Sequence, residues 1–143
     1  MPDAELNIDT TIFCEDVRRE EGGKLFIIGC YVADFMVGSF PISLTMVVHN
    51  QGTVVSPGTV STSIIIKDQS DGILFESEPT EEAEFFQGRF ALAHQFQIVV
   101  QRESTLHITV RNGSREYALP TRRVQIIRDG PPATPRSARK KSP

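Results

Sequence analysis

The sequence predicts an all-β fold, a single antiparallel β-sandwich of about eight or nine strands with little or no helix. Apolar and polar residues alternate along most of the chain, which is the two-residue period of a half-buried strand. Turn-forming Gly, Pro, Asn and Asp residues interrupt this pattern at short intervals, and no long stretch has helical spacing. Together these features favour a sandwich of immunoglobulin-like or C2-like appearance over a barrel.

The first two predicted strands form a hairpin around Glu20-Glu21-Gly22-Gly23. Residues 8–17 are rich in β-branched types, which suits a strand. Residues 24–37 are apolar on both phases, as expected of a central strand that is covered on both faces. A three-residue loop would place Glu20 opposite Lys24, a favourable pair of opposite charges.

Two further features of this hairpin are its pair of cysteines and a glycine within its second strand. In the three-residue-loop register Cys14 faces Cys30, so a cross-strand disulfide is geometrically conceivable. Nothing in the sequence indicates export, and we therefore expect two small buried thiols rather than a disulfide. Gly29, inside an apolar strand, predicts a bulge or a close approach of another backbone.

The middle of the chain predicts three more strands. Alternation over residues 44–49 ends at a predicted loop, Asn50-Gln51-Gly52, and resumes over residues 60–66. The Asp71-Gly72 turn then leads into the short apolar strand 73–75.

The last strands follow a segment predicted as a loop or short helix, residues 78–86. A long strand spans residues 90–100, with Phe90, Leu92, Phe96 and Ile98 on one phase and a more polar set on the other. Residues 106–110 repeat the alternation. Asn112-Gly113 is a strong hairpin signal because both residue types tolerate positive φ. The strands that follow it close the fold.

Composition divides the chain into two parts. The sandwich is expected over residues 5–128, and residues 129–143 are expected to be a disordered tail because they are rich in proline and lack large apolar residues. The net charge of −3 conceals an acidic body and a tail with four basic residues and one Asp. An acidic body argues against nucleic-acid binding over the whole surface. We expect a cytoplasmic protein, since the sequence lacks a secretory signal and a membrane-spanning apolar run.

Motifs of catalysis are missing from the sequence. The chain has no phosphate-binding glycine loop, dinucleotide fingerprint, nucleophile elbow or zinc-protease motif. None of the three histidines lies within five residues of another histidine or of a cysteine. We therefore predict no catalytic residue, no cofactor-binding residue, no metal ligand and no cofactor.

Eight residues are candidate contacts with a ligand or partner. His94 interrupts the apolar phase of a long strand, so we expect a buried imidazole with hydrogen-bond partners, and a ligand contact is the alternative. His49 and His107 lie on polar phases and are expected to be exposed. An acidic segment would either be a solvated face or contact a basic partner, and the tail would either aid solubility or contact anionic surfaces weakly. The acidic candidates are Glu81, Glu82 and Glu84, and the tail candidates are Arg136, Arg139, Lys140 and Lys141.

The N-terminal hairpin resembles that of a bacterial β-sandwich family known as a domain of unknown function. The resemblance lies in C-E-D-V-R-R-E over residues 14–20, G-K-L over 23–25, I-G-C-Y over 28–31 and the following F-P-I-S-L over 40–44. It covers about the first third of the chain, and implies a bacterial, intracellular setting. It implies no activity and no catalytic residue.

These observations favour a non-enzymatic interaction or accessory module that acts through loops or an exposed sheet edge, where a partner strand can add. The expected partner is an unidentified protein, self-association is an open alternative, and no membrane contact is expected. A small-ligand protein or an enzyme with a site near His94 is the first alternative. Weak contact of nucleic acid or an anionic surface with the tail is the second.

Overall fold

The computed structural model describes residues 2–31 and 33–127, and most of these residues lie in thirteen β-strands of three to fifteen residues. A single 3₁₀ turn, Glu21–Gly23, is the one helical element of that part of the chain. The strands are β1 (Glu5–Cys14), β2 (Asp16–Arg19), β3 (Leu25–Ile28), β4 (Phe35–Val37), β5 (Ile42–Ser56), β6 (Gly58–Val60), β7 (Thr62–Lys67), β8 (Ile73–Glu76), β9 (Ala83–Phe85), β10 (Gly88–Val100), β11 (Ser104–Asn112), β12 (Arg115–Ala118) and β13 (Arg122–Ile126). The predicted all-β class is confirmed.

The two longest strands belong to a three-stranded antiparallel sheet in the order β1-β5-β10. β10 pairs with β5 without interruption from Gly88 opposite Val54 to Val100 opposite Ile42. The loop predicted at Asn50–Gly52 is wrong, because β5 continues through it. Gly52 serves close packing rather than a turn, since a Cβ there would overlap the carbonyl oxygen of Asn7 on β1.

The second sheet has six strands in the order β4-β13-β11-β7-β8, and β12 also pairs with β11. Its pairs are antiparallel except for β13 and β4, which run parallel. Two further two-stranded sheets join β2 to β3 and β6 to β9.

One apolar core joins the two larger sheets. The inner phases of β5 and β10 and those of β7 and β11 contribute to the same cluster of buried side chains, because alternate residues of each strand point inward. Among its members are Met46, Val48, Phe96 and Ile98 from the first sheet, and Ile64, Ile66, Leu106 and Ile108 from the second. A smaller cluster around Leu6, Val54 and Phe90 fills one end.

The β2–β3 hairpin has the predicted register and a different environment. Asp16 faces Ile28, and the Glu20 N–H donates to the Lys24 carbonyl at 2.8 Å, as a three-residue loop requires. The predicted continuous central strand over residues 24–37 is wrong. β3 ends at Ile28, Gly29 has a φ of 67°, and Ile28 is 39% exposed. At Gly29, where the sequence predicts a bulge or a close approach of another backbone, the Glu15 N–H is shared between the carbonyls of Ile28 at 2.9 Å and Gly29 at 3.2 Å, as at a bulge.

Two other local predictions are corrected. Residues 78–86 contain no helix; they include the strand β9, which pairs with β6. At the predicted Asn112-Gly113 turn, Asn112 is still paired with Arg115, so Gly113 and Ser114 form the turn and Gly113 has a φ of 61°. The predicted tail, residues 129–143, lies outside the described residues. No helix in the described part of the chain is long and apolar enough to span a bilayer.

Candidate functional site

His94, the central candidate of the sequence analysis, lies in the core. It sits on the inner phase of β10 and is 6% exposed, as predicted for a buried histidine. Its Nε2 and the Oγ1 of Thr62 are 2.9 Å apart, and Thr62 begins β7 in the other large sheet. Burial lowers the pKa of the imidazole, and the interaction with Thr62 opposes this in part.

Thr62, the hydrogen-bond partner of His94, is itself held by two hydrogen bonds with Thr80. The Thr62 N–H donates to the Thr80 Oγ1 at 2.9 Å, and the Thr80 N–H donates to the Thr62 carbonyl at 2.9 Å. The Nδ1 of His94 is buried and has no hydrogen-bond partner among the described residues. This arrangement joins the two large sheets through a buried imidazole that is hydrogen-bonded to the Thr62 hydroxyl.

The acidic candidates do not converge on one site. Glu81, Glu82 and Glu84 are all exposed. Glu82 lines a polar cavity of about 270 Å³ with Asp3 and Arg111. Glu84 lines a different hollow, of about 250 Å³, beside Phe86. The basic candidates Arg136, Arg139, Lys140 and Lys141 lie outside the described residues.

A cavity of about 330 Å³ lies between the β2–β3 hairpin and the outer face of the three-stranded sheet. The hairpin contributes Asp16, Val17 and Leu25, and the sheet contributes His49, Ala93 and other outer-phase residues of β5 and β10. His49 is only 2% exposed, so the prediction that it is exposed is wrong. The polar phase of β5 is covered here because the hairpin folds over it.

The cavity combines one carboxylate with an otherwise neutral lining. Asp16 is its only charged residue among those described, and its side chain is 50% exposed. Asp16 Oδ1 accepts from the Val17 N–H at 2.8 Å, and Oδ2 accepts from the Arg18 Nε at 3.2 Å. A signal for this hollow is present in the sequence: Ala91 and Ala93 are small residues on a strand phase that elsewhere carries longer side chains.

The free edge of β10 is the second feature of interest. Among the described strands only β5 pairs with β10, so one edge of a 13-residue strand has no partner. Between Arg89 and Arg102 the sequence has no Lys, Arg, Asp or Glu. Proteins usually protect exposed edges with charges, bulges or short strands; β10 is long and regular, and Arg89 near its start is its only charged residue.

The opposite edge of the same sheet is protected. β1 has register shifts between Glu5 and Leu6 and between Ile8 and Thr10. Asp9, at the second shift, is ion-paired with Arg89 at 3.0 Å. A bridge from Phe13 to Tyr31 covers one end of this strand as well. The contrast between the two edges singles out β10.

The two cysteines differ in exposure. Both are free thiols; Cys14 is buried and Cys30 is exposed. The Sγ of Cys14 lies 3.6 Å from the Val47 carbonyl oxygen, and burial raises the pKa of the Cys14 thiol. The prediction of two buried thiols is right for Cys14 and wrong for Cys30, which lies beyond Gly29, after the end of β3 at Ile28.

No protein-family model matches the chain, and no curated protein matches it. Within residues 2–31 and 33–127 no group of three or more His, Cys, Asp or Glu side chains is placed to hold a metal ion.

Proposed function

We propose that this chain is a non-enzymatic interaction module that accepts an extended strand of a partner protein at the free edge of β10. The observation that carries the proposal is the long, regular edge of that strand, which has no hydrogen-bonded partner among the described strands and no charged residue from Phe90 to Val100. An added strand forms main-chain hydrogen bonds along such an edge, and side chains on alternate positions then contribute specificity. The resemblance noted for the N-terminal hairpin supports a bacterial, cytoplasmic setting.

The scaffold for this edge is proposed to be one antiparallel β-sandwich, with the three- and six-stranded sheets as its layers. Three contacts support this: the hydrogen bond between His94 and Thr62, the rings of Phe75 and Phe96 at 6.2 Å, and the shared apolar core. A rigid layered scaffold keeps the edge extended before a partner binds, which lowers the entropic cost of binding.

The exposed side chains beside this edge are those on the outer face of β10. Ala91, Ala93, Gln95 and Gln97 are exposed, and none of them carries a charge. Small and amide side chains permit an incoming strand to approach closely and still offer hydrogen-bonding groups beside it. We therefore expect a partner strand that is itself uncharged at its centre.

A charge-matched pair of variants tests the proposal. The variant Gln95→Lys/Gln97→Lys places two positive charges on the edge strand, and Ser43→Lys/Thr45→Lys places two on the same face of the neighbouring strand. Thr45 is directly opposite Gln97, so the two pairs of positions are adjacent and exposed. Each purified protein is immobilised and used to capture partners from the native host.

We expect the wild type and the β5 variant to capture the same partner and the β10 variant to lose it. Hydrogen exchange of β10 amides should slow when the captured partner is added. Equal capture by all three proteins, or exchange protection elsewhere only, would show that the edge is not the binding surface.

A small-ligand function is the second candidate, and the cavity beneath the β2–β3 hairpin favours it. Its volume of about 330 Å³ lies at the lower end of ligand-binding pockets, and its lining combines apolar side chains with Asp16, His49 and Gln95. This candidate moves the ligand site expected near His94 to the outer face of the same strand. Filling the cavity, as described in the Discussion, tests it.

A further inference from the structure

We infer that the strand which β10 accepts is β10 of a second copy of this chain, so that two three-stranded sheets join into one continuous six-stranded sheet. The inference rests on the proposed function, because it needs the same free edge. It adds the identity of the partner and the geometry of pairing. A two-fold axis would pass near the middle of β10 and make the interface isologous.

A strand can pair with a second copy of itself in antiparallel orientation if each side chain suits the side chain that then lies opposite. When two copies of β10 are aligned antiparallel from end to end, each position from Gly88 to Val100 has a partner. On the outer face, Ala91 then lies opposite Gln97 of the second copy, and Ala93 lies opposite Gln95. Each pair combines a small side chain with a longer one, and symmetry repeats each pair on the other side of the axis.

The inner face is also self-complementary. In the same alignment Phe90 lies opposite Ile98 of the second copy, and Leu92 lies opposite Phe96. All four positions belong to the buried or half-buried phase of β10. Aromatic side chains opposite aliphatic ones are favourable cross-strand pairs, and they would continue each apolar core across the join on either side of the axis, where His94 faces its own copy.

Charge does not oppose the pairing. Arg89 would lie opposite Val99 of the second copy, and its guanidinium is already bound to Asp9 at 3.0 Å. Arg102 follows the end of β10 and lies outside the paired segment. No like charges therefore face each other within the two paired strands.

Other edges of the described strands suit a second copy less well. β8 has four residues, with a register shift in its pairing with β7, and β4 has three residues. β1 has two register shifts and acidic residues. Among the strands that the structure describes, β10 alone is both long and regular at a free edge.

Sedimentation velocity over a range of concentrations tests this on the full chain. We expect the wild type and Ser43→Lys/Thr45→Lys to form a reversible dimer. Gln95→Lys/Gln97→Lys should dissociate about tenfold more readily or more, because four added positive charges meet along the joined strands. Gln95→Glu/Gln97→Glu should be weakened as well, and a mixture of the Lys and Glu proteins should restore the dimer. The restored mixture shows that neither variant has misfolded.

Hydrogen exchange locates the interface. Amides of β10 should exchange more slowly in the dimer than in the Lys variant, and this difference should vanish on dilution. A wild type that stays monomeric at every accessible concentration would overturn the inference. A dimer that the Lys and Glu variants leave unchanged would also overturn it. If the wild type is monomeric but its captured partner is lost in the Lys variant, the second copy is excluded and the proposed function stands.

Discussion

The buried imidazole of His94 leads to a prediction about acid stability. Burial lowers its pKa in the folded protein below the ordinary value of 6.5, and the unfolded chain restores that value. Protonation would place a charge between the sheets, where Nδ1 has no acceptor among the described residues. The unfolded state therefore binds the proton more readily than the folded state.

The sign and size of the effect follow from linkage. Stability rises with pH wherever the unfolded state binds more protons, so the contribution of His94 is lost as the pH falls below about 6.5. The limiting slope for one proton is about 1.4 kcal/mol per pH unit. One unit below the ordinary pKa, at about pH 5.5, the loss should reach at most about 1.4 kcal/mol, the limit for a folded protein that takes up no proton.

Urea denaturation of wild type and His94→Gln, at several values from about pH 7.5 to about pH 5, measures this. The variant retains a polar side chain toward Thr62 but cannot titrate. The carboxylates contribute equally to the pH dependence of both proteins, so their contribution cancels in the difference between the two unfolding free energies. His107→Gln is the matched control, since His107 is exposed on a strand. Parallel pH profiles for wild type and His94→Gln would refute the reasoning.

Three further outcomes are expected. Gly52→Ala should lower the unfolding free energy in urea denaturation by about 3 kcal/mol or more, because the added methyl group would overlap the Asn7 carbonyl. Gly38→Ala is the control, since Gly38 has open space around it. Cys30 should react with a thiol reagent in the native protein and Cys14 only after unfolding, and equal rates would contradict their assigned exposures. Ala93→Leu should abolish binding of any small molecule found by a ligand-observed screen in the cavity beside it; unchanged binding would place that ligand elsewhere.

Local signals in the sequence were sufficient to predict the all-β class and the register of the first hairpin. Glu20 and Lys24 face each other because hairpin geometry depends only on the turn between them. The same kind of reasoning failed at Asn50–Gly52, since turn-forming residues there serve a close approach of β1, which is a tertiary contact. The break after Ile28 likewise depends on Gly29, and an apolar run alone does not reveal where a strand leaves its sheet.

The candidate sites were less predictable for the same reason. The alternation around His94 was enough to predict its burial, but its partner Thr62 lies 32 positions away, on a strand whose facing residues no local pattern specifies. His49 is buried because the β2–β3 hairpin folds over the outer face of β5, and the sequence pattern alone marks that face as polar. The free edge of β10 follows from sheet order, and sheet order is a property of the whole fold.

The side chain of Asn112 has a consequence for the order of folding. Its amide nitrogen donates to the carbonyls of Ala4 and Thr59, and its oxygen accepts from the Ser61 N–H, across separations of 108, 53 and 51 positions. These segments can be joined only after most of the chain has been synthesised, and contacts this distant in sequence slow folding. Until Asn112 arrives, the N-terminal segment lacks this anchor, so a nascent chain passes through a period in which β1 is held only by partners earlier in the chain, such as β5 and Tyr31.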